Sequence, residues 1–182
     1  MRVGKHRLLI ALVSGAVLAL TGCDSSAEET AGSSTPSVAP DVPGFDPCAD
    51  IPVEVLDSEG LEDPMPDDSD LSGGIKLRGC MWTQTDGYVA GIHATNVTLE
   101  MVRDKGFPEA TEFDAAGREA LSTRQLEAHA EASCVVNVDM VDGSLEFLLS
   151  NPSSNAKTGD VDTCELARNL AKKVAPSIPA GV

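Results

Sequence analysis

The sequence predicts an α+β fold: an antiparallel β-sheet built from hairpins, with helices packed on one face and two disulfides securing them. Three observations carry that expectation. Asp86-Gly87 and Asp142-Gly143 each separate two apolar-rich runs. Such Asp-Gly pairs are a strong hairpin signal, because both positions accept positive φ. Near the end of the chain, Asp162 and Glu165 form a capping-box pair ahead of an apolar stripe (Leu166, Leu170, Val174) that Pro176 stops. Cys48, Cys80, Cys134 and Cys164 fall at the expected starts of helices and strands.

Taken in order, the chain opens with the basic residues Arg2, Lys5 and Arg7 and an apolar run over residues 8–20. That run is shorter than the roughly 20 residues a spanning helix needs, so it reads as part of a cleavable signal peptide, residues 1–22. It ends at Leu20-Thr21-Gly22-Cys23, which resembles the bacterial lipobox. Small residues there admit a peptidase, and the Cys23 thiol accepts a diacylglyceryl lipid with fatty chains such as palmitate. Two chains anchor durably where one myristoyl chain binds only marginally. There is no twin-arginine pair, so the expected route is unfolded export.

Residues 23–44 are rich in Ser, Thr, Ala, Glu, Gly and Pro with almost no large apolar residue, and so read as a lipidated, flexible tether. A single globular domain is expected over residues 45–182. Asp46 is placed to cap a short turn with Pro47 at its first position, and Pro52 restarts a helix over 53–58 that ends at Gly60. Residues 62–74 read as an acidic loop. The hairpins follow over 75–99 and 134–150. Between them, Thr98 caps a short helix over 99–105 closed by Gly106, and the composition of residues 115–132 favours helix. Cys134, Val136, Val138 and Met140 share one face, matched by Leu145, Phe147 and Leu149. Lys172 and Lys173 complement the dipole of the last helix.

With Cys23 lipidated, four cysteines remain in an exported chain, an even number that suggests two disulfides. Of three possible connectivities we favour Cys48–Cys80 and Cys134–Cys164, because each staples a helix start to a strand and the two loops are of similar length. Structural staples are expected, since no Cys-x-x-Cys pair points to redox chemistry.

Asp46-Pro47-Cys48, Cys80-Met81-Trp82, Gly117, Cys134-Val135-Val136 and Cys164-Glu165-Leu166-Ala167 occur in this order. Together with the lipobox they resemble the actinobacterial lipoproteins of the domain of unknown function 3558 family, over roughly residues 45–179. The resemblance implies an α+β fold, an envelope location in an actinobacterium and a strand around 118–125, against the helical composition there. It carries over no catalytic residue. The order of elements alone also resembles the extracellular sensor domains of mycobacterial serine/threonine kinases.

Composition and motifs narrow the chemistry. The net charge is −16, and losing three of the 13 Lys and Arg with the leader leaves 10 against 29 Asp and Glu, or −19. Phosphate backbones are repelled, so no nucleic acid partner is expected. Aromatics make up 3% of residues, leaving Val, Leu, Ile, Ala and Met to build the core. Gly-x-Ser-x-Gly is absent, with Ser72 and Ser144 the nearest small-residue serines. His93 and His129 suggest no local metal site and read as strand or surface residues. Asp68, Asp70, Ser72 and Gly73 match the start of an EF-hand loop, but Gly79 stands where a bidentate Glu is required. Asp139 and Glu146 could face one another across the second hairpin as solvated residues. Asn96-Val97-Thr98 matches a glycosylation sequon by chance.

No catalytic residue, metal or cofactor is therefore expected. The sequence is consistent with a non-catalytic binding or accessory lipoprotein at the extracytoplasmic face of the cell membrane. It would be held there by the lipid on Cys23, with an unknown envelope protein or small molecule as ligand. An envelope enzyme acting on wall or lipid substrates is the alternative. A lined cleft between the last helix and the sheet would favour binding, and a filled one surface display.

Overall fold

The computed structural model describes residues 41–182, which lie in a single unit. The expected signal peptide, the lipid site at Cys23 and the tether as far as residue 40 fall outside the described residues. Residues 41–44, the expected end of that tether, already engage the domain: Asp41 pairs with Lys76, and Pro43 is buried. Asp46 then accepts a hydrogen bond from the Cys48 amide at 2.9 Å and caps helix α1 (Pro47–Asp50). Helix α2 (Val53–Glu59) follows Pro52 and ends at Gly60, whose φ of 62° suits the αL cap.

The remaining elements are strands β1 (Leu61–Pro66), β2 (Ser69–Asp70), β3 (Lys76–Gln84) and β4 (Val89–Thr95), helix α3 (Leu99–Asp104), strands β5 (Thr111–Ala115), β6 (Arg118–Thr123), β7 (Ser133–Met140) and β8 (Gly143–Ser150), and helix α4 (Thr163–Val174). All pairings are antiparallel, and the strands form one sheet in the order β1-β3-β4-β8-β7-β6-β5, with β2 also on β3. The two expected hairpins are β3–β4 and β7–β8, and they join side by side through β4 and β8.

One sheet face carries the core. Cys80, Trp82, Ile92, Phe147, Leu149, Val136 and Val138 are buried there, and the Cys164, Ala167, Leu170, Ala171 and Val174 stripe of α4 docks on them. Ala167 and Ala171 present no bulk, which allows the close approach. Asp162 caps α4 by accepting from the Glu165 amide at 2.8 Å. Cys48 is bonded to Cys80 and ties α1 to β3; Cys134 is bonded to Cys164 and ties β7 to α4. With sequence separations of 32 and 30, each closure contributes about 3.6 kcal/mol on the chain-entropy model. Aromatics are few but well used: Phe45, Trp82, Tyr88 and Phe147 are all in this core.

Several details depart from the sequence reading. Residues 62–74 are not simply loop, because β1 and β2 pair there with β3. Pro64 and Pro66 hide this strand from a pattern search, but an edge strand leaves one row of amides unpaired and tolerates proline. Residues 115–132 hold the strand that the family likeness implied, as β6, followed by a 3-10 turn over Glu127–Ala132, and not the helix its composition favours. Cys80 lies in mid-strand, not at the strand start. In both hairpin turns Asp, not Gly, takes positive φ (Asp86 59°, Asp142 63°). Gly143 is needed for a different reason: a Cβ there would sit 2.0 Å from the Thr95 carbonyl oxygen and 3.0 Å from Pro43. Among the described residues no helix is long and apolar enough to cross a membrane.

Candidate functional site

Helix α3 covers one corner of the sheet face opposite α4, through Leu99, Val102 and Leu121. Thr98 caps it, accepting from the Met101 amide. The rest of that face is organised by register, since directly paired residues line up across the strands. One row runs Gly79, His93, Glu146, Asn137, Leu121 from β3 to β6. The adjacent row on the same face runs Met65, Met81, Gly91, Leu148, Val135, Thr123 from β1 to β6.

The polar row is unusual for the centre of a sheet. His93 is only 2% exposed. Its ring leans over Gly91, where a Cβ would lie 2.8 Å from the imidazole Cε1. Its Nε2 is 3.1 Å from Asp67 Oδ2. Asp67 follows β1 and is positioned by its own amide, which donates to the Gly79 carbonyl at 2.8 Å, while Asp68 accepts from the Gly79 amide at 3.0 Å. A carboxylate accepts only, so in the neutral ring Nε2 carries the proton and Nδ1 is an acceptor. That Nδ1 is buried and has no partner.

Glu146 stands between His93 and Asn137 and is half-buried. Burial holds its carboxyl above the usual glutamate range, against the opposing pull of His93 and of a hydrogen bond from Asn137. Asn137 also donates to the Ser144 hydroxyl at 3.1 Å, and that hydroxyl donates to the Val97 carbonyl at 2.6 Å. Asn137 Oδ1, fully buried, is left without a partner. Acceptors therefore outnumber donors around Glu146. Beside them lies exposed apolar surface: Leu148, in the middle of the sheet, is 38% exposed and Met65 is 45% exposed.

Other expected positions play different parts. All four domain cysteines are in disulfides. Asp139 does not face Glu146, because register places it opposite Ser144 while Glu146 meets His93. His93 is a strand residue, buried and not on the surface; His129 is exposed in the 3-10 turn. Of the EF-hand-like acids, Asp70 pairs with Arg78 and Asp68 holds Gly79. Among the described residues no group of three His, Cys, Asp or Glu is placed to hold a metal.

The seam under α4 is filled, with Ala167, Leu170, Ala171 and Val174 fully buried, so no cleft opens there. A polar cleft of about 770 Å³ beside the 3-10 turn is walled by Arg124, Glu109 and Asp162. Arg124 spends its donors on Glu109, Asp162 and the carbonyls of Ala130, Glu131 and Ser133, which makes that cleft a structural joint. Sequence reasoning missed the His93–Glu146 pairing because β4 and β8 are far apart in the chain. The available signal was the two glycines inside strand runs, Gly79 and Gly91, which mark close approach of other groups.

A family model described as Protein of unknown function (DUF3558) matches residues 18–177 of the chain. No curated protein and no solved structure matches it.

Proposed function

The chain belongs to this DUF3558 family, and from that premise we propose that it is a non-catalytic binding or accessory lipoprotein of the cell envelope. It is held at the outer face of the membrane by lipid on Cys23 and meets its partner with the open sheet face around Glu146 and Leu148. The observation that carries this reading is the exposed Leu148 in the central part of the sheet, beside the half-buried Glu146 carboxylate, whose neighbours in register, His93 and Asn137, each hold a buried acceptor without a partner. Contiguous exposed apolar surface marks interaction sites, and Met65, Met81 and Leu148 lie in one row of this face. The seam under α4 is filled, which on the criterion set for that cleft favours display, so the binding reading rests on the opposite sheet face alone; the leader and lipobox support the tethered, exported setting.

A photo-crosslinking residue at position 148, introduced into the protein in intact cells, tests it. A discrete adduct is expected from position 148 and none from exposed position 172 on α4. Equal labelling from both positions, or none from position 148, refutes the assignment of this face.

A second reading has one observation in its favour. An imidazole oriented by Asp67 at Nε2, with a free acceptor at Nδ1, has the arrangement of a general base and its positioning carboxylate. This would suit an enzyme acting on wall or lipid substrates. The burial of Nδ1 places binding first; turnover of an envelope substrate that is lost in His93→Asn would reverse the order.

A further inference from the structure

We infer that the open face recognises a protein segment carrying a lysine or arginine beside an apolar side chain, with Glu146 as counter-ion to the basic group and Leu148 as the apolar contact. This rests on the reading of that face as a binding surface and names the chemistry of the partner.

Hydrogen-bond accounting supplies the first argument. Asp67 fixes the Nε2 proton of His93 and leaves Nδ1 an acceptor. Ser144 commits its hydroxyl to the Val97 carbonyl and takes a donor from Asn137, which leaves Asn137 Oδ1 an acceptor. Both orphans belong to the residues flanking Glu146 in register, itself an acceptor when ionised. Both orphans are buried, so the half-buried Glu146 between them is the acceptor an incoming group can reach, and ammonium and guanidinium are the side chains that donate to it without accepting.

Charge gives the second argument. No strand residue whose register places it on this face is Lys or Arg. The basic residue of α3, Arg103, is committed to Glu112 and Glu119. A carboxylate that lies half-buried with no Lys or Arg on its face, on a chain of net charge −16, is complemented by an incoming cation. The apolar row separates a protein segment from a lipid headgroup: a zwitterionic headgroup brings a phosphate to an acidic face, whereas a basic side chain beside a leucine or methionine meets Glu146 and the exposed Leu148 together.

The test uses the disulfide-bonded exported protein and two acetylated, amidated tripeptides, Leu-Arg-Leu and Leu-citrulline-Leu, which differ in charge at nearly constant shape. Amide chemical shifts are followed during titration. The arginine peptide is expected to move Gly91, Glu146 and Leu148, with the citrulline peptide binding about tenfold more weakly or worse. Glu146→Gln, which keeps shape and removes a half-buried charge, is expected to weaken the arginine peptide by a similar factor and leave the fold intact. Equal binding of both peptides, an unchanged affinity in Glu146→Gln, shifts confined to another surface, or no binding of the arginine peptide at millimolar concentration each overturns the cationic assignment. The photo-crosslink at position 148 stands apart from these results: an adduct there with no charge dependence would leave the binding face in place and reject only the chemistry assigned to its partner.

Discussion

Replacing Arg124 by Ala removes the most connected side chain outside the core. Its Nη1 donates to the carbonyls of Ala130 and Ser133, with Glu131 a weaker third at 3.4 Å. Two charge-assisted bonds to largely buried carbonyls contribute about 1.5 kcal/mol each. The ion pairs with Glu109 and Asp162 contribute less, because those carboxylates are 67% and 48% exposed, and about 0.5 kcal/mol apiece is appropriate for solvent-screened pairs. The loss is therefore about 4 kcal/mol, a large part of the roughly 5–15 kcal/mol that stabilises an ordinary domain. Arg124→Lys keeps the charge without the planar fork and is expected to lose about half as much. Urea unfolding of the oxidised protein, read as a fall in midpoint at constant m-value, measures both. A loss under about 1 kcal/mol in Arg124→Ala, outside the usual cost of breaking a buried polar network, would show that water replaces these bonds freely and that the joint is not what orders the 3-10 turn.

Three further outcomes are expected. Burial raises the folded-state pKa of Glu146, so the folded protein holds this proton more tightly than the unfolded chain. The associated stability is full below the ordinary glutamate value near 4.5 and is lost as pH rises through the raised value. Glu146→Gln should therefore melt higher than the parent at neutral pH, with the gap closing in acid; a lower melting temperature at neutral pH would contradict this. Gly91→Ala drives a methyl into the His93 ring and should cost about 1–3 kcal/mol, with the His93 resonances displaced by loss of the Asp67 contact; an unchanged histidine spectrum would count against the packing. Cys23→Ala should leave uncleaved precursor or soluble protein in place of the membrane-bound form, and its recovery in the detergent phase at parental levels would reject the anchor.

The fold class was legible because its signals are local. Asp-Gly turns, the Asp162 cap and the α4 stripe each lie within a few residues, and the strand faces of β7 and β8 follow from period-two patterning. Where tertiary pairing decides, local signals failed. The 115–132 stretch is rich in Ala and Glu, yet its strand is stabilised by β5 and β7 on either side, which overrides propensity. Strand β1 has no alternation because only Leu61 of its six residues is buried. The cysteines lie at short sequence separation and could be reasoned about, whereas the site depends on a register between β4 and β8 that nothing nearby in the sequence announces. Asp139 and Glu146 illustrate the difference. They are close in the chain, but register sends Glu146 to a histidine 53 positions away.

The arrangement of the two disulfides bears on how the chain reaches this state. Cys48–Cys80 lies wholly within the half made of α1, α2 and β1 to β4, and Cys134–Cys164 wholly within the half made of β5 to β8 and α4. Neither crosses the line where β4 meets β8. Each bridge closes within its own half, whereas β4 and β8 pair across a longer stretch of chain, the kind of non-local pairing that slows folding. His93 comes from one half and Glu146 from the other. The polar row thus exists only where the two halves are paired, so correctly formed bridges do not by themselves assemble the face proposed for recognition.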